Sequence, residues 1–263
     1  MIVCFSGTGN TFYVSSRVAE KTGLGIFMLE GDSLINPGAV KLDTDSADEA
    51  VIWAFPTYSW GIPPVVVDFI RRFNVGENMK TGRHYMLTTC GDDMGLTDQQ
   101  WRKLMIRRGL NAVSAFSVIM PNTYVCMKGF DVDSEDTVRS KIAEPDSRID
   151  GIVESIRFGG PDMLRRGAFA WIKSKIIYPY FVRHEMSPRP FHATDDCTGC
   201  GTCARLCPMK NITMATCTDN SFRPRWGAQC AMCLRCYHAC PHHAVAYGGK
   251  TAGKGHQWLG FRH

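Results

Sequence analysis

A chain of 263 residues with 44% hydrophobic and 21% charged content reads as globular, with room for one large domain or two modest ones. Its apolar runs are a few residues long, which excludes a membrane-spanning helix, and no signal-peptide pattern fits its start, so a cytoplasmic protein is expected. The net charge of +5 conceals a split: residues 1–155 carry 15 basic and 20 acidic side chains, whereas residues 156–263 carry 15 and 5. Such a split implies two units with different partners, or two that attract each other. No helix-turn-helix, zinc-finger or aromatic RNA-binding pattern accompanies the basic half, so nucleic acid is not expected as a partner.

The first 155 residues alternate strand and helix. Apolar runs suited to buried parallel strands are Met1–Phe5, Gly25–Leu29, Ala50–Phe55, Tyr85–Thr89 and Val113–Met120. Helical stretches lie over Thr11–Lys21, Val65–Phe73, Gln99–Arg108 and Thr137–Phe158. This alternation predicts an α/β fold with a doubly wound five-stranded parallel sheet over residues 1–158, with ligands expected beyond the carboxyl ends of the strands. The turn after the first strand, Ser6, Gly7, Thr8, Gly9, Asn10 and Thr11, opens a helix and contains no Lys or Arg. Backbone N–H groups and the helix dipole hold a phosphate at such a place without a cation. A P-loop needs a Lys, and a dinucleotide fingerprint needs a third glycine where Phe12 stands.

Two more strand-end loops carry candidate contacts. After the third strand come Pro56, Thr57, Tyr58, Ser59, Trp60 and Gly61; after the fourth come Thr89, Cys90, Gly91 and Asp92, followed by Asp93. Tyr58 and Trp60 suit stacking on a flat ring, and Gly61 is free to reorient its peptide. Asp92 and Asp93 suit hydrogen bonding to a polar ligand edge, or solvation. Cys4 and Cys126 suit small apolar fillers, and a redox role for Cys90 would need exposure and a lowered pKa.

Residues 159–191 form a basic, aromatic linker. Within it, Met163–His184 is a helix candidate on which Phe169, Ile172, Ile176 and Tyr180 share a face and Pro179 should kink or end the helix. That face is expected to cover the junction of the two halves, with a membrane surface as the alternative.

Nine of the twelve cysteines lie between Cys197 and Cys240. CTGCGTCARLCP contains Cys197, Cys200, Cys203 and Cys207; CAMCLRCYHACP contains Cys230, Cys233, Cys236 and Cys240. Both read C-x2-C-x2-C-x3-C-P, the bacterial ferredoxin spacing for a 4Fe–4S cluster. Structural zinc also uses C-x2-C pairs, but a third Cys after each pair, and a closing Cys-Pro in both copies, favour iron–sulfur. Cys217 fits neither set.

Residues 192–263 thus resemble a small α+β two-cluster ferredoxin domain followed by a tail. In such ferredoxins the fourth Cys of each motif ligates the other cluster. The resemblance implies one set of Cys197, Cys200, Cys203 and Cys240, and a second of Cys207, Cys230, Cys233 and Cys236. The first turn resembles the flavodoxin phosphate loop, which implies FMN. The whole chain resembles the flavodoxin–ferredoxin fusion proteins of anaerobic bacteria, on SGTGNT, PTYSWGIPP and the two cysteine motifs. That resemblance implies an electron-transfer protein working with a redox protein partner, and the basic second half suits an acidic one. The alternative is an FMN-dependent reductase of a small molecule, with Tyr58, Trp60, Asn122 and Tyr124 as substrate contacts.

Overall fold

The computed structural model describes residues 1–143, 145–218 and 221–261. Its main sheet consists of β1 (Ile2–Cys4), β2 (Ile26–Met28), β3 (Ala50–Pro56), β4 (Arg83–Cys90) and β5 (Asn111–Ile119). The strands run parallel in the order β2-β1-β3-β4-β5, which is the flavodoxin-like order. The chain first steps outward from β1 to β2 and then back past β1 to β3. The helices after β1 and β3 therefore leave on opposite faces, and a crevice opens between the carboxyl ends of those two strands.

The strands are apolar because both faces are covered. Trp53, Phe55 and Phe5 pack on one side with Phe69 and Trp101; Ile52, Tyr85 and Phe116 pack on the other with Val14 and Ile152. Helix α1 (Asn10–Thr22) ends at Gly23, which adopts φ 75° and returns its N–H to the Ala19 carbonyl, a left-handed C-terminal cap. Helices α2 (Pro64–Arg72) and α3 (Thr97–Arg107) follow β3 and β4. Helices α4 (Glu135–Ala143) and α5 (Pro145–Phe158) cover the stretch expected to be helical over 137–158, with residue 144 outside the described residues. The second opens at proline, whose missing N–H suits a first turn and not a helix interior.

The linker enters along the sheet edge, where Met163 bridges Phe116. It then forms helix α6 over Ala170–His184, whose middle turn, Lys173–Ile177, is a π-turn. Pro179 does not end the helix; it stands in the first turn of the α-helical segment that follows the π-turn. The widened turn just before it, with Tyr178 N–H bonded to the Lys173 carbonyl, absorbs the bond that proline cannot make.

The C-terminal region is ferredoxin-like, with two antiparallel pairs: β6 (Phe191–Ala193) with β9 (Val245–Tyr247), and β7 (Ile212–Thr216) with β8 (Phe222–Trp226). Two single-turn helices, α7 (Thr202–Arg205) and α8 (Arg235–His238), sit inside the cysteine motifs. This region caps the crevice. Gly31 N–H donates to the Pro208 carbonyl, Lys254 Nζ donates to the Val125 and Met127 carbonyls, and the C-terminal tail returns so that Leu259 N–H reaches the Thr8 carbonyl. The charge split appears at the junction: Arg235–Glu30, Lys210–Asp32, Lys173–Asp93 and Arg166–Asp98 each join a cation of the second half to an anion of the first. No helix among the described residues is long and apolar enough to cross a membrane.

Candidate functional site

A cavity of about 660 Å³ lies over the crevice. Fourteen of the sixteen residues expected around a flavin line it: Ser6, Gly7, Thr8, Asn10 and Thr11; Pro56, Thr57, Tyr58, Ser59 and Trp60; Thr89, Cys90, Gly91 and Asp92. Asn122 and Tyr124 line it as well. Gly9 and Gly61 do not, and each has another reason to be glycine. Gly9 has φ 105°, and a Cβ there would overlap the Gly260 carbonyl of the tail; a Cβ at Gly61 would overlap the Tyr178 ring. Gly61 is also hydrogen-bonded to Tyr58 in both directions, so its peptide is not the free one expected.

Those two bonds close a two-residue turn whose central residues, Ser59 and Trp60, have φ 43° and 65°. Two successive left-handed residues are the requirement of a type I′ turn, and outside glycine each costs on the order of 1 kcal/mol. Helix α6 holds the turn in place. Ser174 Oγ donates to the Trp60 carbonyl at 2.8 Å, Tyr178 OH donates to the Ile62 carbonyl at 2.6 Å, and the Lys173 ammonium stands 5.1 Å from the Trp60 ring centre. Asp93, expected near the ligand or in solvent, pairs with Lys173 at 2.6 Å.

The other loops are fixed as firmly. Asp133 accepts from the backbone and side-chain amides of Asn122 and from Lys141, and Lys141 donates to the Gly91 carbonyl. Burial works against the Asp133 charge, but these donors hold its pKa below the usual carboxylate value. Thr11 and Thr89 share a hydroxyl contact of 2.7 Å. Burial raises the Cys90 thiol to about 12, as it does Cys4 and Cys126, so all three are inert fillers.

Arg235 answers the absence of a cation in the first turn. It lies between Cys233 and Cys236, is 3% exposed, and reaches the back of the loop. Its Nη2 donates to the Ser6 carbonyl at 2.7 Å, its Nε to the Gly7 carbonyl at 3.1 Å, and its Nη1 to the Leu206 carbonyl and to Glu30. The Phe261 ring lies 4.2 Å from the guanidinium. In a trans peptide the N–H points opposite the C=O, so committing these two carbonyls turns the Gly7 and Thr8 N–H groups away from Arg235. The Cys233 backbone presses on the same turn: a Cβ at Gly7 would stand 2.7 Å from its carbonyl oxygen.

The two cysteine motifs adopt one backbone form. Gly199 and Gly201 of the first have φ 71° and 72°; Met232 and Leu234, at the same places in the second, have 51° and 59°. Lys210 and His243, three residues after each final Cys, are also left-handed, at 50° and 51°. One small cavity is lined by Cys197, Cys200, Cys203 and Cys240, and another by Cys207, Cys230, Cys233 and Cys236. Each gathers three thiols of one motif and the last thiol of the other. Backbone N–H groups point at sulfur from Asn211 to Cys207, Met232 to Cys230 and Ala244 to Cys240, each at 3.3 Å. Burial, and then neighbouring thiols, raise Cys230 to about 12, and burial raises Cys203 to about 11. Cys200 alone of the eight is exposed, and hydrogen bonds from Thr202 lower its thiol; four thiols facing one another still need a cationic centre to ionise together. Among the described residues no three His, Cys, Asp or Glu are arranged to hold a single metal ion; the thiols surround spaces instead.

The second motif also lines the large cavity, through Met232, Cys233 and Leu234. This explains the repeat's one conspicuous difference. Where the motif faces away from the large cavity, glycine takes the left-handed positions without cost. Where it faces that cavity, two large apolar side chains take them and form the wall. Helix α6 supplies Lys173, Ile177, Tyr180 and Phe181, Glu185 follows just past its end, and the loop after β5 supplies Met127 and Phe130. The α6 residues and Arg235 do not follow from the strand-end rule, and only the α6 periodicity hinted at a junction; Met127 and Phe130 lie on a strand-end loop but carry no motif. Three residues that line this cavity each carry a buried polar atom with no partner: Asn10 Oδ1, Tyr58 OH and Tyr124 OH.

Residues 191–213 match the 4Fe-4S binding domain family, a match that contains Cys197, Cys200, Cys203 and Cys207 and stops short of the second motif. Among solved structures the chain is similar to the Trp repressor binding protein from Bacillus subtilis, at 11% identity over 59% of this chain and 97% of that one, with TM-score 0.37. It is also similar to the flavodoxin of Streptococcus pneumonia TIGR4, at 17% identity over 59% and 95%, with TM-score 0.34. A third, the azoreductase AzrA, shares 12% identity over 67% and 100%, with TM-score 0.28. No curated protein matches the chain.

Proposed function

We propose that this chain is an electron-transfer protein, of the flavodoxin–ferredoxin fusion kind, that relays electrons between two 4Fe–4S clusters and one FMN. One observation carries the reading: a single cavity is lined both by the phosphate-loop turn and by Met232, Cys233 and Leu234 of the second cysteine motif. A flavin held there would stand against a cluster wall, and it would join one-electron transfer by clusters to two-electron chemistry. The residues suit the group. The first-turn N–H groups of α1 receive the phosphate, Trp60 and Tyr58 take the ring, and Asn10, Tyr58 and Tyr124 offer polar atoms that have no partner within the chain. Cys197, Cys200, Cys203 and Cys240 would hold one cluster, and Cys207, Cys230, Cys233 and Cys236 the other.

The chain's own contribution is position and enclosure. Arg235 presets the loop, α6 fixes the aromatic turn, and Met232 and Leu234 keep water from the wall between the two sites. A second reading, an FMN-dependent reductase of a small molecule, is favoured by the aromatic extension of the cavity. There Tyr124 packs edge-on against Phe130 and Phe181, and its hydroxyl is unpartnered. The two are separated by reducing the reconstituted holoprotein without oxygen and offering acceptors. Delivery to a protein acceptor alone supports the relay. Saturable turnover of a quinone or nitro compound supports the reductase.

A further inference from the structure

The apolar face of α6 does not cover the junction of the two halves. The junction is covered by the opposite face, where Ser174, Tyr178 and Phe181 make the contacts and Ser174 is 2% exposed. Ile172, Ile176 and Tyr180, spaced four residues apart and so on one side of the helix, are exposed by 44%, 55% and 59%, Trp171 and Ile177 beside them by 61% and 39%, and Phe169, just before the helix, by 76%. Six of the eleven exposed large hydrophobic residues among the described positions fall within these twelve residues.

The charges of the same segment are one-sided. From residue 163 to residue 184 there is no Asp or Glu. Arg166 and Lys173 are engaged by Asp98 and Asp93, whereas Arg165, Lys175 and Arg183 are exposed. We propose that this face of α6 docks the protein on an anionic phospholipid surface, with the aromatic and aliphatic side chains entering the headgroup region and the cations meeting lipid phosphates.

Shape and charge favour lipid over protein. The face is the convex side of one helix, which a fluid surface covers without a matching groove. A second copy would bring like charges together, and transient redox contacts between proteins are small and wet. Ile177 and Tyr180 belong both to this face and to the lining of the large cavity. Docking therefore sets the rim of that cavity at the lipid, within reach of a lipid-soluble acceptor. The inference does not depend on what the cavity binds.

The test is flotation of the full-length chain with phosphatidylcholine vesicles carrying about 30% phosphatidylglycerol, against pure phosphatidylcholine, at low and high salt. The expected result is binding to the anionic vesicles that weakens with salt. The variant Trp171→Ser/Ile172→Ser/Ile176→Ser should lower binding roughly tenfold or more, and Lys175→Glu/Arg183→Glu should reduce it comparably. All five positions are exposed, and an unchanged circular dichroism spectrum checks the fold. Absence of binding to anionic vesicles at low salt, or binding that both variants leave intact, overturns the proposal. So does a dimer, or a complex with an acidic protein, that the triple variant dissolves while no vesicle binding is found.

Discussion

Arg235→Met tests whether a cation placed behind the phosphate loop presets it. The substitution keeps the apolar stem and removes four hydrogen bonds, two of them to the Ser6 and Gly7 carbonyls. A hydrogen bond from a charged donor contributes about 1.5–3 kcal/mol, so the two loop bonds together are worth about 3–6 kcal/mol. Water entering the vacated space recovers part of this, which leaves about 3 kcal/mol. If the loop loses its order with the guanidinium, FMN must restore that order on binding, and affinity falls by about 100-fold. Titrating FMN into flavin-free protein and following flavin fluorescence measures this directly. Iron per chain should stay unchanged, which separates the loop effect from damage to the adjacent cluster. Arg235→Lys, which cannot span both carbonyls, should fall between. An FMN affinity within about threefold of the parent in Arg235→Met, with iron intact, would refute the reasoning.

Other outcomes follow from the same contacts. Cys240→Ser should cost the cluster of the first motif while sparing that of its own motif, halving iron from about eight to about four per chain; loss of both clusters would contradict the crossed ligand sets. Gly7→Ala puts a methyl group against the Cys233 carbonyl and should destabilise the chain by about 1–3 kcal/mol, read as a lower Tm with weakened flavin retention. Met232→Gly relieves a left-handed non-glycine residue yet removes part of the cavity wall. Thermal stability should fall, because the lost core side chain costs more than the relieved backbone returns, and flavin should become more accessible to soluble iodide quenching.

His84 is fully buried, and burial lowers its pKa below 6.5. Its Nδ1 accepts from Trp53 Nε1, so the ring is neutral and Nε2 donates to the Met79 carbonyl. Below pH 6.5 the unfolded chain takes up a proton that the folded chain refuses. Stability should therefore fall on acidification from 6.5 toward the lowered value, by at most about 1.4 kcal/mol per pH unit. The gap between urea midpoints at pH 7 and pH 5 should narrow in His84→Gln without closing, because burial also lowers His238 and His256 to about 4.

Much of this was legible in the chain because it is local. Strand-length apolar runs set the sheet, and glycine with small polar residues after β1 marked the turn that lines the cavity. Cysteine spacing encoded the two motifs. What was not legible depends on residues far apart in sequence. Arg235 meets Ser6 across 229 positions, and nothing in CAMCLRCYHACP distinguishes it from a solvated surface cation. The helix periodicity of 163–184 identified an apolar face but not its direction. Polar and small residues, Ser174 and Tyr178, make the junction, so the rule that apolar faces turn inward points the wrong way. Gly61 falls among the expected ligand contacts because its neighbours line the cavity; its actual constraint, the Tyr178 ring, lies on the linker.

The central claim is that flavin and clusters share one wall and exchange electrons within one chain. An anaerobic reductive titration of the reconstituted holoprotein tests it most directly. The account predicts uptake of about four electrons per chain, one for each cluster and two for the flavin, with flavin and cluster bands bleaching in mutual equilibrium without an added mediator. A chain that binds zinc in place of iron, that retains no flavin, or whose flavin stays oxidised while the clusters are reduced would contradict it.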